Sequence, residues 1–548
     1  MDALGITFAM LLAVVASAFA VRVLPVAIPV PLVQIAMGAV IAGVFGRGVR
    51  LDPELFFFLF LPPLLFLDGW RIPKEGLLRD RATILELAFG LVFFTVLGLG
   101  ALIHWMIPSM PWPVAFALAA IVSPTDPVAV SAITARVPMP GRVMHILEGE
   151  SLLNDASGLV AFRFAVAAAV TGTFSLASAA LSFVWVATAG LAVGAAFTWG
   201  VFQLRDRFSK RYGEEPGSQI LLSLLIPFGA YELAETVHAS GILAAVSAGV
   251  MMSYVELSGQ AMAATRVQRA VVWNTLQFAL NGIMFVLLGE QLPDIFRGAV
   301  RVVEESGHVN PWWLLAYALA INAALAALRF AWVWVSLQIS MRVAERRGTV
   351  APKASMRMIA AVSLAGVRGA ITLAGVLTLP VLLSDGTPFP ARDLAIFLAA
   401  TVIIISLVAA SVGLPRLLNG LAVPPETEHH AQEDLAQQAA RRAAVMAIEK
   451  KMHDLVAANP ATDPQFYTDV AGRLVESMAM QGGTAAEADP DQAVRQRQEA
   501  VARALRFAAL NASRDELFRL ARARRISDEV CRAAVRKLDL QEARMANK

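Results

Sequence analysis

Apolar stretches of about 20 residues recur between residues 3 and 418 and constrain the fold more than any other feature. The hydrocarbon core of a bilayer is about 30 Å thick, and a helix needs about 20 apolar residues to cross it. Thirteen such stretches are predicted as spans, centred near 3–21, 30–46, 55–70, 82–107, 112–135, 147–172, 178–203, 217–237, 239–255, 271–291, 312–340, 357–383 and 393–418. The pattern predicts an all-α polytopic membrane protein with about thirteen transmembrane helices.

Charged residues divide the chain into two parts. They number 51 among the first 423 residues and 38 among the last 125. A soluble domain is about one quarter charged, so only the second part resembles one. We predict a transmembrane domain over 1–423 and a helical, water-soluble tail over 424–548, joined at Pro424–Pro425. Within the tail, residues 480–490 are predicted to form a looser stretch between helical segments. The tail is predicted to serve as a regulatory or oligomerisation module.

Basic residues in the predicted loops indicate the orientation. Every second loop holds 18 Lys and Arg in total, whereas the alternate loops hold five. Cytoplasmic loops carry the basic excess, which places the tail inside and the N-terminus outside. The first apolar stretch is predicted to be retained as a span, because Asp2 and no basic residue precedes it, unlike a signal peptide.

Composition excludes several function classes. Cys531 is the single cysteine of the sequence, so the chain has neither an internal disulfide nor a four-cysteine zinc site. The net charge of +3 lies in the apolar part and the tail is neutral, which argues against a nucleic-acid partner. We expect no cofactor.

Ionisable residues inside predicted spans are candidates for function, since each costs a few kcal/mol to insert. The candidates are Asp68, Glu86, Asp126, Glu150, Asp155, Arg163, Glu232, Glu235, Arg329 and Arg368. Glu86, Glu232 and Glu235 lie near span ends, where they can reach the interface. Arg163 and Arg329 have a structural interpretation as ion-pair partners, and Arg329 can also extend its long side chain to the interface.

Two proline residues predict a break in the fifth span, at Ser123-Pro124-Thr125-Asp126-Pro127. Proline removes an amide donor and disfavours helix at the preceding residue. Unwound backbone at membrane depth is tolerated only where it is buried in protein or lines a cavity. The freed carbonyls and Asp126 could together coordinate a cation, which a simple proline kink does not explain.

The sixth span opens with a cluster of oxygen-bearing side chains. Ser151 and Asp155 are four residues apart and share a helix face, and Glu150 and Asn154 form a parallel row. Hard cations prefer carboxylate, carbonyl and hydroxyl oxygens. In the twelfth span, Arg368 lies between Gly366 and Gly369. The two glycines permit a second helix break, and the buried arginine requires a carboxylate partner. Paired broken helices indicate the midplane site of a transporter.

At these residues the sequence resembles the NhaP-type sodium/proton exchangers of the monovalent cation:proton antiporter-1 family. The matching strings are LPPLLFLDGW (61–70), SPTDPVAV (123–130), GESLLNDASGLV (149–160), LNGIMFVLLGEQLP (280–293) and GVRGAITLA (366–374). The resemblance implies an inverted-repeat fold of the NhaA/NhaP type with broken crossing helices, and a homodimer. It also implies a core domain that moves against a dimerisation domain in a bacterial inner membrane.

The resemblance also implies roles for individual residues. Asp155 would bind either sodium or protons. Asp126, Ser151 and the Thr125 carbonyl would complete the Na⁺ site, with Asn154 holding its geometry. Glu150 would form a structural ion pair with Arg368, and Asp68 would lie near the cytoplasmic approach.

A buried carboxylate must be neutralised by a proton or a cation, because an unpaired charge is costly in low dielectric. If the site cannot change its access from one side of the membrane to the other while it is empty and charged, each change must carry a bound ion. The protein must then exchange one ion for the other. We predict 1:1 electroneutral exchange of Na⁺ or Li⁺ for H⁺, because Asn154 stands where related electrogenic antiporters carry a second aspartate. A K⁺- or Ca²⁺-selective exchanger on the same fold is the main alternative. An intramembrane hydrolase, a channel and a sodium sensor are less consistent with the motifs.

Overall fold

The computed structural model describes residues 3–23, 28–45, 53–134, 139–172, 176–257, 262–305, 312–346, 355–383, 386–420, 427–459, 463–479 and 492–546. These ranges contain helices and a single isolated bridge between Leu382 and Pro388, and no strand. The all-α prediction is therefore confirmed for the described residues. The predicted joint at Pro424–Pro425 and the predicted loose stretch at 480–490 lie outside the described ranges.

Seventeen helices precede the tail in the described ranges. The first nine are α1 (Ala3–Val23), α2 (Val30–Phe45), α3 (Pro53–Arg71), α4 (Lys74–Arg79), α5 (Arg81–Leu85), α6 (Val92–Met106), α7 (Trp112–Val122), α8 (Pro127–Thr134) and α9 (Gly141–Thr171). The next eight are α10 (Leu176–Tyr212), α11 (Pro216–Thr236), α12 (Gly241–Glu256), α13 (Ala263–Glu305), α14 (Trp312–Arg346), α15 (Met356–Leu364), α16 (Ala370–Leu377) and α17 (Arg392–Leu418). A π-helical segment, Glu86–Leu91, joins α5 to α6.

Seven helical stretches are long and apolar enough to cross a bilayer. They are Arg81–Met106, Gly141–Thr171, Leu181–Tyr212, Pro216–Thr236, Ala263–Val300, Trp312–Arg342 and Arg392–Leu418. Four shorter apolar helices lie at Thr7–Val23, Val30–Val44, Trp112–Val122 and Gly241–Glu256. Each of the thirteen predicted segments coincides with a helix or with a broken pair of helices. The count of thirteen membrane crossings stays a prediction.

Both predicted helix breaks are present. The chain leaves the helix between α7 and α8, over 123–126, and again between α15 and α16, over 365–369. The backbone amide of Asp126 donates to the Val367 carbonyl at 2.7 Å, so the two breaks touch. Four half-helix ends therefore meet at one place inside the apolar part.

Helix α13 packs closely along α2. A Cβ atom added at Gly38 would overlap the Val286 carbonyl, and one added at Gly289 would overlap the Ile35 carbonyl. Small residues allow the backbones of two membrane helices to approach in this way. This contact anchors α13, which also borders the candidate site described below.

The tail forms four helices, α18 (Thr427–Ala458), α19 (Pro464–Ala479), α20 (Gln492–Arg522) and α21 (Asp528–Ala546). Two apolar clusters hold them together, one centred on Leu517 and Cys531 and the other on Ile448 and Leu505. The four helices agree with the predicted helical character of the tail.

Charged contacts attach α21 to the ends of the membrane helices. Asp539 accepts from Arg266 Nε at 2.7 Å and from Arg266 Nη2 at 2.6 Å, and both side chains are buried. Arg532 donates to the Trp70 carbonyl at 3.1 Å and to the Arg71 carbonyl at 2.8 Å. These contacts lie at helix ends that adjoin loops which the basic-residue pattern assigns to the same side as the tail.

Two further pairs connect α21 to neighbouring elements. Asp528 lies 3.5 Å from Lys74 Nζ, and Glu529 lies 3.4 Å from His145 Nε2 in α9. The hydrogen bond with His145 lowers the pKa of the Glu529 carboxyl, while burial lowers the pKa of the Lys74 ammonium group. The tail thus contacts both α9, which carries candidate site residues, and α13.

Candidate ion site

The first break places Asp126 beside the second one. Pro124 and Pro127 flank the unwound residues, as their lack of amide donors requires. A Cβ atom added at Gly369 would overlap Oδ2 of Asp126, so a larger residue there would displace that carboxylate. Gly369 is the N-cap residue of α16. The Asp126 carboxylate therefore lies at a helix N-terminus, where the unpaired amides and the helix dipole favour an anion.

Helix α9 brings its polar row to the first break. Ser151 Oγ donates to the Thr125 carbonyl at 2.6 Å, and Asn154 Nδ2 donates to Thr125 Oγ1 at 3.0 Å. These three residues and Asp155 are all buried. The predicted group of Thr125, Asp126, Ser151, Asn154 and Asp155 is therefore brought together in space.

The π-helical segment borders α9 on another side. Ser157 Oγ donates to the Ala88 carbonyl at 2.6 Å. Single-turn π segments inside α-helices are frequent at functional sites. Here the irregular turn presents a carbonyl to the helix that carries Ser151 and Asp155.

A cavity of about 40 Å³ lies at the meeting point. Its walls combine the residues of both breaks with α3, α9 and α13: Leu64, Asp68, Pro124, Thr125, Asp126, Pro127, Ser151, Asp155, Gln277, Asn281, Gly369, Ile371 and Thr372. A cavity needs roughly 10–15 Å³ to hold one water molecule, so this cavity can accommodate a small ion with one or two waters. Within the described ranges the Asp155 carboxylate has no hydrogen bond and no ion pair, which leaves its oxygens available to a ligand.

A second cavity of about 490 Å³ adjoins the first. The two share Asp68, Asp126, Ser151, Gln277 and Asn281 in their walls. The larger cavity also reaches Arg71 and Glu148, at the ends of α3 and α9 that face the tail. Asp68 lines both cavities, and its place on a cytoplasmic approach to the site stays a prediction.

The prediction that Glu150 pairs with Arg368 is wrong. Both oxygens of Glu150 are bound by Arg329, through Nη1 and, at 2.7 Å, through Nη2. The Arg329 and Glu150 side chains are 3% and 1% exposed. The physical reason is that the Arg368 guanidinium donates its hydrogen bonds to backbone carbonyls at the helix breaks and not to the Glu150 carboxylate.

Arg368 donates from Nε to the Val122 carbonyl at 2.8 Å and from Nη1 to the Gly366 carbonyl. Val122 is the last residue of α7, where unpaired carbonyls and the negative end of the dipole favour a cation. Arg329 likewise donates from Nε to the Val362 carbonyl in α15, at 3.1 Å. The two arginines therefore satisfy the carboxyl ends of the two broken helices.

The other charged candidates lie apart from the ion cavity. Arg163 contacts Glu235 at 3.4 Å, which agrees with its interpretation as an ion-pair partner. Both line a cavity of about 680 Å³, together with Glu232 and Tyr231. This cavity lies beyond Asp155 along α9, at the end remote from the tail.

Sequence reasoning missed two residues of the site, because Gln277 and Asn281 received no role. The interpretation of Arg329 as an ion-pair partner is confirmed by its contacts with Glu150. A signal for the amides was present, because Asn274, Gln277 and Asn281 follow helical spacing in an otherwise apolar stretch. For Arg329 the sequence predicted an ion pair but not its partner, since Glu150 lies 179 residues away.

Comparison with known proteins identifies the family of this chain. The family described as "Sodium/hydrogen exchanger, transmembrane" matches residues 10–420. The chain is 41% identical over 538 residues to the "Uncharacterized Na(+)/H(+) exchanger YjcE" of Escherichia coli, covering 97% of each. It is 45% identical over 438 residues to a "Sodium, potassium, lithium and rubidium/H(+) antiporter" of Bacillus pumilus, covering 78% of this chain and 64% of that one.

A solved structure shares the fold. The sodium proton antiporter MjNhaP1 of Methanocaldococcus jannaschii superposes with a TM-score of 0.58 at 18% identity, over 77% of this chain and 99% of that one. The NhaP-like fold expected from the motifs is thereby confirmed. With the family match spanning most of the apolar part, the chain belongs to the sodium/hydrogen exchanger family of multi-pass membrane transporters.

Proposed function

We propose that this protein exchanges Na⁺ or Li⁺ for H⁺ across a bacterial cell membrane, one for one, by alternating access. The observation that carries the proposal is the small cavity between the helix breaks, where Asp126 and Asp155 face a shared space beside Ser151 and Thr125. Carboxylate, hydroxyl and carbonyl oxygens are the ligands of hard cations. Sodium and protons then compete for the same buried carboxylates.

The stoichiometry rests on the charge of the site. Asn154 is neutral and donates to Thr125 Oγ1, so it stabilises the break and does not bind a proton. Asp155 is then the residue that alternates between a proton and a cation. One proton exchanged for one monovalent cation moves no net charge, so the rate should not respond to membrane potential.

A broader cation range is the second candidate, in which K⁺ and Rb⁺ are also exchanged. The cations named for the antiporter of Bacillus pumilus, which is 45% identical to this chain, favour this broader range. As further parts of the proposal, the protein works as a homodimer in pH homeostasis, with its N-terminus outside and its tail in the cytoplasm. The tail's contacts with the predicted inner loops support that orientation.

Everted membrane vesicles from a strain without its own antiporters test the proposal. Respiration acidifies their interior, and addition of Na⁺, Li⁺, K⁺ or Rb⁺ to the outer solution should dissipate the gradient, as a pH-sensitive dye reports. Asp155→Asn should abolish the response while protein remains in the membrane at wild-type level. Indifference of the wild type to all four cations would overturn the proposal, as would normal exchange by Asp155→Asn.

A further inference from the structure

One wall of the ion cavity comes from α13 and not from the broken helices or α9. Gln277 and Asn281 line it, and Asn274 lies on the same helix face and lines only the larger cavity. Spacings of three and four residues align the three side chains along α13. We call Asn274, Gln277 and Asn281 the amide track, which leads from the side facing the tail to Asp126 and Asp155.

The three amides differ in their hydrogen bonds. Arg71 donates to the side-chain oxygen of Gln277 at 2.6 Å and to that of Asn274. Among the described residues, Asn281 makes no side-chain hydrogen bond. Asn281 is half-buried and lines the ion cavity beside Asp126 and Asp155, so its amide is available to a polar ligand there, either water or a hydrated ion.

The hydrogen bonds of Arg71 also decide which amide faces the ion. With its guanidinium held by Asn274 and Gln277, Arg71 stays at the wide end of the track. Asn281 is therefore the member of the track that is open to the cavity shared with Asp126 and Asp155.

We propose that Asn281 is a specificity-determining residue that supplies a neutral amide oxygen to the bound cation; this rests on the proposed cation exchange. Selectivity among monovalent cations depends on cavity size and on the number and field strength of the coordinating oxygens. Carboxylates are strong-field ligands that favour small ions such as Li⁺ and Na⁺. An added amide oxygen lowers the average field and favours K⁺ and Rb⁺.

The test uses Asn281→Ala in the same everted vesicles. Apparent affinities are measured for Li⁺, Na⁺, K⁺ and Rb⁺, each as a substrate or as a competitor of Na⁺ exchange. We expect the affinity for K⁺ and Rb⁺, relative to Li⁺ and Na⁺, to fall by about fivefold or more. Asn281→Asp, which keeps the shape and adds charge, should shift the preference in the same direction.

Asn322→Ala is the matched control. Asn322 is a partly buried amide in α14 that donates to the Ala318 carbonyl and does not line either cavity. Its removal should leave the cation preference unchanged, which separates a selective effect from the general cost of losing an amide. If Asn281→Ala does not reach the membrane, Asn281→Ser serves as the test variant.

The two proposals fail in different ways. A wild type that exchanges no cation would overturn the proposed function. A wild type that exchanges cations, with an Asn281→Ala variant of unchanged preference or of equally reduced affinity for all four ions, would overturn the role of Asn281 alone.

Discussion

Removing Arg329 should destabilise the membrane domain strongly. Its guanidinium makes two contacts with Glu150 and one with the Val362 carbonyl, and both charged side chains are almost fully buried. A hydrogen bond to a charged group contributes about 1.5–3 kcal/mol. Loss of one partner of a buried pair costs about 3–5 kcal/mol, because the remaining charge is uncompensated.

Arg329→Met keeps much of the length of the side chain and removes the charge. In detergent, its thermal unfolding midpoint should lie several degrees below that of the wild type. The double variant Glu150→Gln/Arg329→Met should recover much of the loss, since no buried carboxylate is left unpaired. The coupling in this double-mutant cycle should lie in the range of roughly 0.5–3 kcal/mol, as expected for residues in direct contact.

A second cycle compares the two arginines. Glu150→Gln combined with Arg368→Met should show weaker coupling, because Arg368 donates to backbone carbonyls and not to Glu150. Stronger coupling to Arg368 than to Arg329 would refute the pairing of Glu150 with Arg329. An Arg329→Met variant as stable as the wild type would refute the energetic reasoning itself.

Four further outcomes are expected. Gly369→Ala should reduce apparent cation affinity in the vesicle assay, because its Cβ would displace the Asp126 carboxylate; unchanged affinity would contradict this. The apparent KM for Na⁺ should fall as pH rises, since fewer protons then compete, and a KM independent of pH would exclude competition. Burial raises the pKa of the Cys531 thiol to about 12, so a maleimide at pH 8 should label the native protein at least about tenfold more slowly than the denatured protein. Asp539→Ala leaves Arg266 buried without its carboxylate and should speed that labelling by releasing α21; an unchanged rate would argue against docking through this pair.

Local chemistry explains why so much of the site was predictable. Proline and glycine act on their own backbone, so both helix breaks could be placed within a residue or two. The helical repeat aligns side chains four residues apart, so Ser151 and Asp155 were predicted on one face. Asp126 could be assigned to the site because a proline kink alone does not require an aspartate among the unwound residues.

Pairing across the fold was not predictable in the same way. An arginine side chain is long, and either Arg329 or Arg368 satisfies the requirement for a basic partner of Glu150. The choice depends on how α9, α14 and α15 pack, and on which carbonyls each broken helix leaves unpaired. The contacts of α21 were also not predictable, because its acidic residues lie near Lys74, His145 and Arg266 only after the chain has folded.

From the sequence alone, this chain is a membrane protein that resembles the sodium/proton exchangers, with an aspartate at one helix break and an arginine at the other. Hydrophobic length, proline and glycine placement and helical spacing are local properties, and each acts within one segment. The tertiary structure was needed to show that Arg329 neutralises Glu150, that Arg368 caps α7, and that Asn281 faces the ion cavity. Those assignments depend on the approach of helices far apart in the chain, where packing geometry selects among partners that local chemistry leaves equivalent.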